Sequence, residues 1–342
     1  MQLIILTCQD DPHADAVIRL LQERRPGARV VRVNSDNQAS ILQYCFEWSN
    51  NGSPDKRSMR LLDSGAEFSP GDIPTVMWYR KPGIPPPHPS LTDGDARQCS
   101  SQEQREWLRS FDGFCPGAVW ANDPWRMQRY SVKVNQIPIA REVGLTIPET
   151  LITNDLEAVK RLARRHREII IKPLAYNGFV VGEEQYGCYT NVLTVADLEQ
   201  LQPEDLAFAP AIFQQRIEKV EELRVTVIGE SVFACAIGTT AGTVENIDWR
   251  IRDVHQLPHR MVELPAEVGN RLKRMLELMG LNFGAFDLIR DGSGNYYFIE
   301  VNPNGQYFWI ELLTGAALSD AMVGLILWLG DGASTTHLAA SS

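Results

Sequence analysis

Residues 285–302 read Ala285-Phe286-Asp287-Leu288-Ile289-Arg290, then Asp291-Gly292-Ser293-Gly294-Asn295, then Tyr296-Tyr297-Phe298-Ile299-Glu300-Val301-Asn302. Two apolar runs flank a turn of Asp, Gly and Asn, the pattern of a β-hairpin. Glu300 and Asn302 are two apart, so on a strand both project to one face. Paired strands lie about 5 Å apart, which lets Asp287 join that face. Two carboxylates and an amide oxygen make a hard oxygen cluster of the kind Mg²⁺ prefers, with water and phosphate oxygens completing its shell. Either acid alone reads as an ordinary strand-end carboxylate. The trio beside the loop Asn302-Pro303-Asn304-Gly305-Gln306 reads as a metal site.

Working outward, Leu223–Ile228 and Val232–Ile237 flank Gly229-Glu230-Ser231 as an earlier hairpin, and Arg224 opens its first strand. An arginine there suits charge developing on a transferring phosphoryl group, with an ion pair to an acid as the plainer alternative. A helix is expected over 266–279, stopped by Gly280. Ahead of the hairpins, Phe213-Gln214-Gln215-Arg216-Ile217 is a segment whose backbone groups can bind adenine; Gln214, Gln215 and Ile217 are its candidate contacts. Lys172 ends the buried run Ile169-Ile170-Ile171 and suits a phosphate as a point charge. Lys133, on a helix expected over 127–143 that Pro138 interrupts, is a second candidate phosphate contact. Arg250, in Asp248-Trp249-Arg250, has the fork geometry for a carboxylate or acyl phosphate, with Arg252 the same-face alternative. A helix over 156–165 is expected to be capped by Thr153-Asn154.

The chain opens with an apolar strand at 3–7, an amphipathic helix at 11–24, a Pro26-Gly27 stop and a strand at 30–33. This β-α-β start, with another strand at 76–79 and a helix at 101–111, predicts an α/β module. No GxGxxG occurs, so dinucleotide binding is not supported. The expected organisation is an N-terminal α/β domain over 1–120, a central subdomain over 121–210, a C-terminal subdomain with the metal site over 211–330, and a disordered tail over 331–342.

Composition narrows the partners. The 342 residues carry a net charge of −10, which argues against nucleic acid, whose phosphates call for a basic face. The longest apolar run, 321–329, is too short to span a bilayer, so no membrane partner is expected. The N-terminus lacks a basic region and a cleavage site, so no signal peptide is read. Six scattered cysteines form no CxxC, which predicts free thiols in the cytoplasm. His255 and His259, separated by Pro258, read as loop residues.

Taken in order, Lys133, Lys172, the 213–217 segment, Arg224, Asp287 and Glu300-x-Asn302 resemble the ATP-grasp superfamily over about residues 115–325, with 1–120 similar to its usual preceding domain. Within it the chain resembles the graspetide synthetases, the microviridin-type peptide cyclases. That likeness is carried by His13-Ala14-Asp15, Trp78-Tyr79-Arg80-Lys81-Pro82, Gln214 through Glu222-Leu223-Arg224-Val225-Thr226-Val227, Asp248-Trp249-Arg250, and Glu300 through Gln306 with Trp309, Glu311, Thr314 and Gly315. The resemblance implies an α/β fold in which two α+β subdomains clamp ATP, with ATP and Mg²⁺ as cofactors. It also implies a precursor peptide whose leader docks within 175–210 and whose core is modified; a homodimer is compatible with it. The implied roles are catalysis by Arg224 and Arg250, nucleotide contacts by Lys133, Lys172, Gln214, Gln215 and Ile217, and metal ligation by Asp287, Glu300 and Asn302. The loop at 174–182 holds only two glycines, a departure from many ATP-grasp enzymes that suits the peptide-cyclase branch better than the small-molecule ligases. A glutamate or amino-acid ligase acting on a protein tail or small molecule is the alternative reading, and a non-catalytic nucleotide sensor is a third.

Overall fold

The computed structural model describes residues 1–36, 42–50, 55–62, 65, 67–68, 73–175, 178–181, 184–238 and 254–332. Two compact units emerge: Met1–Pro124 with Ala317–Ser342, and Trp125–Ala316.

The first unit is built on a parallel sheet in the order Arg29–Asn34, Gln2–Thr7, Thr75–Tyr79, Val119–Trp120. Gln2–Thr7 is buried along its whole length, as a continuous apolar run in a parallel sheet should be. The helix Pro12–Arg24 starts on Asp11, whose side chain accepts from the His13 amide, and buries Ala14, Val17 and Leu21. The helix Leu318–Gly330 packs on it, adding ion pairs Arg24–Asp320 and Arg25–Asp331. That last helix therefore belongs with the N-terminal module, whereas the sequence grouped it with the metal-bearing hairpin. A small antiparallel sheet, Leu42–Glu47, Lys56–Leu61 and Glu67–Phe68, lies in the same unit. The helix expected from 101 begins earlier, at Gly94, because Asp93 caps it through the Ala96 amide.

The loops after the parallel strands are tied by a buried polar cluster. Thr7 Oγ1 donates to Asp11 Oδ2 at 2.5 Å, His13 Nδ1 lies 3.2 Å from Asp11 Oδ1, and Arg80 Nε lies 3.9 Å from it. Burial opposes ionisation of Asp11. The hydrogen bonds from His13 and Thr7 and the Arg80 charge outweigh it and hold the carboxyl at about 2. Burial lowers the His13 value below the usual imidazole range, against the pull of Asp11.

Among its described residues the second unit holds the antiparallel hairpin Gly178–Val181 with Glu184–Gly187 and two larger antiparallel sheets. One of these sheets has the order Asn191–Thr194, Glu168–Lys172, Ala211–Gln215, Thr150–Thr153, with Leu156–His166 packed on it through Leu156, Val159, Leu162 and Ala163. The cap of that helix is Asp155, which accepts from the amides of Glu157 and Ala158, and not Thr153-Asn154 as expected. The other sheet has the order His259–Val262, Ser231–Ile237, Lys219–Ile228, Phe283–Asp291, Tyr296–Asn302. His259 is thus a strand residue, edge-on to Trp309 at 5.2 Å between ring centroids, and not part of a loop. Ala266–Met279 forms as expected and ends on Gly280 at φ 65°, a conformation glycine adopts without strain.

The helical stretch expected over 127–143 is two helices, Pro124–Ser131 and Lys133–Glu142, and the break falls at Val132 instead of Pro138. Side chains of the second helix make the break tolerable. Asn135 and Gln136 donate to the Arg129 and Tyr130 carbonyls, which the end of the first helix leaves open. Among the described residues no helix is long and apolar enough to cross a membrane.

Candidate functional site

Three strands of the five-stranded sheet carry one charged rung. Arg224 lies opposite Asp287, and Asp287 opposite Glu300. Directly opposed residues share a face, so the three side chains stand side by side. Arg224 Nη1 donates to Asp287 Oδ1 at 2.7 Å, and Lys133 Nζ contacts Glu300 Oε2 at 2.7 Å. The next rung is Thr226, Ala285 and Asn302. Asp287 and Glu300 side chains are 17% and 19% exposed, enough to reach a ligand yet shielded enough for charge to matter.

A β-bulge makes this alignment. Leu288 opposes Phe298, but one step on Asp287 opposes Glu300, so Ile299 is an extra residue in the outer strand. Phe298 therefore turns into the core, at 2% exposure, while Glu300, two residues later, turns to the other face. Simple alternation would have put both on one face.

The loop after Asn302 folds back over the rung. Asn302 Oδ1 accepts from the Asn304 amide at 2.9 Å, leaving its second lone pair for another partner. A Cβ at Gly305 would overlap the Ala285 side chain and sit 3.4 Å from Arg224 Nη2. Gly305 is thus required by close approach of backbone to sheet. Cys235, opposite Arg224 on the other side, is fully buried, and burial pushes its thiol up to about 11.

Lys172, Gln214, Gln215 and Ile217 belong to the four-stranded sheet and the segment leaving it. Lys172 is 6% exposed and ends its strand opposite Ile212. Gln214 is buried; its Nε2 donates to Thr150 Oγ1 at 2.8 Å, and its Oε1 has no hydrogen-bond partner among the described residues. The Gln215 amide donates to the Glu149 carbonyl at 2.9 Å, so that group is already used; Ile217, in the short connection beyond, is half-buried. Arg250, with Asp248, Trp249 and Arg252, lies outside the described residues, as do most of the expected tail at 331–342 and part of the 174–182 loop.

The structure thus gathers Lys133, Arg224, Asp287, Glu300 and Asn302 around one sheet face. Sequence reasoning missed the direct Lys133–Glu300 pair and missed Gln136. That residue is 2% exposed and bonds both backbone groups of Val301, between Glu300 and Asn302. A long amide three residues after Lys133 on the same helix was the signal available.

The donor set suits Mg²⁺. Asp287 and Glu300 offer carboxylate oxygens on one face, Asn302 offers an amide oxygen one rung along, and Mg²⁺ accepts few protein ligands while keeping room for water and phosphate. Among the described residues no three His, Cys, Asp or Glu side chains cluster as a metal site.

No protein-family model and no curated protein matches the chain. Similar solved structures include a RiPP-associated ATP-grasp ligase of Chryseobacterium gregarium in complex with ADP and a leader and core peptide. It is 26% identical, with a TM-score of 0.83, covering 95% of this chain and 96% of that one. Macrocyclase MdnC of Microcystis aeruginosa MRC, bound with precursor peptide MdnA, is 25% identical, with a TM-score of 0.80 and coverage of 96% and 99%. Macrocyclase MdnB of the same organism is 25% identical, with a TM-score of 0.74 and the same coverage.

Proposed function

We propose that this chain, an ATP-grasp ligase of the graspetide synthetase family, links side chains of a ribosomally synthesised precursor peptide through esters or amides, closing macrocycles. The observation that carries the reading is the rung of Arg224, Asp287 and Glu300 with Lys133 seated on it.

The reaction has two steps. A carboxylate oxygen of a precursor Asp or Glu attacks the γ-phosphorus of ATP; the bond to ADP breaks and an acyl phosphate forms. A Ser or Thr hydroxyl, or a Lys amine, then attacks the acyl carbon and loses its proton, and phosphate leaves. No protein nucleophile is needed. Catalysis is positioning plus charge stabilisation.

In this reading Asp287, Glu300 and Asn302 hold Mg²⁺, whose contribution when bound is to neutralise charge on the phosphate oxygens. Lys133 and Lys172 act as point charges toward the phosphates, and residues from Gln214 to Ile217 border adenine. Arg224, paired with Asp287, presents its remaining donors to the reacting phosphoryl oxygens, and Arg250 shares the acyl phosphate. The leader contact is assigned within 175–210, which includes the hairpin Gly178–Val181 and Glu184–Gly187, and Phe208 at 92% exposure. The six free cysteines agree with a cytoplasmic location. A homodimer is part of the proposal and is checked by light scattering.

The test is mass spectrometry of a candidate precursor after incubation with enzyme and ATP. Loss of one water mass per ring supports cyclisation. A gain of an amino-acid mass on an acceptor points to the amino-acid ligase instead, and unchanged mass under ATP turnover overturns both.

A further inference from the structure

Tyr296–Asn302 is the outermost strand of its sheet, so its outward N–H and C=O groups need partners other than a full strand. At Tyr297 and Phe298 an isolated bridge to Thr146 serves, the Phe298 amide donating to the Thr146 carbonyl at 2.8 Å. At Val301 both are taken by one side chain. Gln136 Oε1 accepts from the Val301 amide at 2.9 Å, and Gln136 Nε2 donates to the Val301 carbonyl at 2.8 Å. The same Nε2 donates to the Tyr130 carbonyl at 2.7 Å. A primary amide here imitates a single residue of an adjoining strand, and it joins two helices to that strand.

The flanking residues give this clamp its consequence. Val301 lies between Glu300 and Asn302, and Lys133, which contacts Glu300, lies three residues before Gln136 on the same helix. Residues three apart occupy neighbouring positions on a helix. One amide therefore sets the position of the strand bearing two metal-site oxygens against the helix bearing the phosphate lysine. The strand needs such a restraint, because the bulge at Ile299 interrupts its pairing with the inner strand one residue before Glu300.

We propose that Gln136 is a positioning residue for the metal–nucleotide site, acting through the Val301 backbone to hold Glu300 and Asn302 at the spacing the ion requires. This rests on the metal assignment made above.

The test uses full-length Gln136→Met, Gln136→Glu and Glu300→Gln proteins, with Mn²⁺ as a spectroscopic stand-in. Affinity for Mn²⁺ in the presence of ADP is read by electron paramagnetic resonance, and thermal midpoints are read separately. Supporting residues behind metal ligands typically alter affinity by about 10- to 100-fold, and Gln136→Met should weaken Mn²⁺ by about tenfold. Gln136→Glu gives a readout that structural loss alone would not. Ionised, it accepts from Val301 but cannot donate; protonated, a carboxyl group restores one donor and one acceptor. Burial raises a carboxyl pKa, so its affinity deficit relative to wild type should shrink as pH falls from about 8 to about 6. If Gln136→Met does not fold, the Gln136→Glu pH series decides alone. Unchanged Mn²⁺ affinity in the folded Gln136 variants, or a pH-independent deficit in Gln136→Glu, overturns the positioning role. Should Glu300→Gln also bind Mn²⁺–ADP as wild type does, the metal assignment itself fails.

Discussion

At the scale of single residues, the site depends on charges held a hydrogen bond apart. Lys133 stands at the start of a helix with 23% of its side chain exposed, so Lys133→Met should leave the fold intact while removing the cation proposed to meet the phosphates. Loss of one such stabilising group commonly costs about 100-fold in kcat. ADP release under saturating precursor should show that loss with an unchanged thermal midpoint; full activity would remove Lys133 from the reaction. Gly305→Ala acts by crowding, because the added methyl meets the Ala285 side chain. Overpacking of this kind costs about 1–3 kcal/mol, and circular-dichroism melting should register it; a midpoint equal to wild type would contradict the close approach. The acids and Arg224 were legible in the sequence because strand alternation predicts which side chains share a face. Gln136 was not, because its partners are backbone atoms 165 residues away. Its place on the helix, three residues after Lys133, marks the side chain but does not name those partners.

Elements were legible where local chemistry decides them and opaque where tertiary contacts do. The helix Ala266–Met279 was expected over these residues with Gly280 as its stop, and it forms there. Replacing Gly280 by alanine forces a side chain into φ 65° and against Arg126 Nη1. Left-handed strain costs about 1–3 kcal/mol, so urea unfolding of Gly280→Ala should show a lower midpoint at an unchanged slope, and an equal midpoint would mean the helix end had relaxed. The bulge at Ile299 was invisible, since periodicity alone counts Phe298 and Glu300 on one face. The break at Val132 was also misplaced. Proline at 138 suggested a kink, but the second helix absorbs it, and the chain turns where Asn135 and Gln136 satisfy the preceding carbonyls.

At the level of the whole molecule, the polar cluster at Asp11 couples folding to pH. The folded Asp11 value of about 2 lies below the ordinary 3.8, so the unfolded chain binds a proton first as pH falls. Its contribution, about 2 kcal/mol, is complete above pH about 4 and is lost toward pH about 2. His13 adds to the trend. With its folded value lowered from 6.5, protonation of the unfolded state costs stability as pH drops below the ordinary imidazole range. Urea midpoints should therefore fall on acidification in both windows, and Asp11→Asn should remove most of the slope in the lower one; a wild-type-like slope in that variant would contradict the assignment. The N-terminal β-α-β module was plain in the sequence, whereas the docking of the last helix onto it joins residues some 300 positions apart, as in the pair Arg24–Asp320 at a separation of 296.

Carboxylate activation by ATP is tested most directly with a precursor peptide whose Asp and Glu side chains carry oxygen-18. Transfer through an acyl phosphate moves one labelled oxygen into inorganic phosphate for every ring closed, and mass spectrometry of the released phosphate should find it there. Ring formation with unlabelled phosphate would contradict the account.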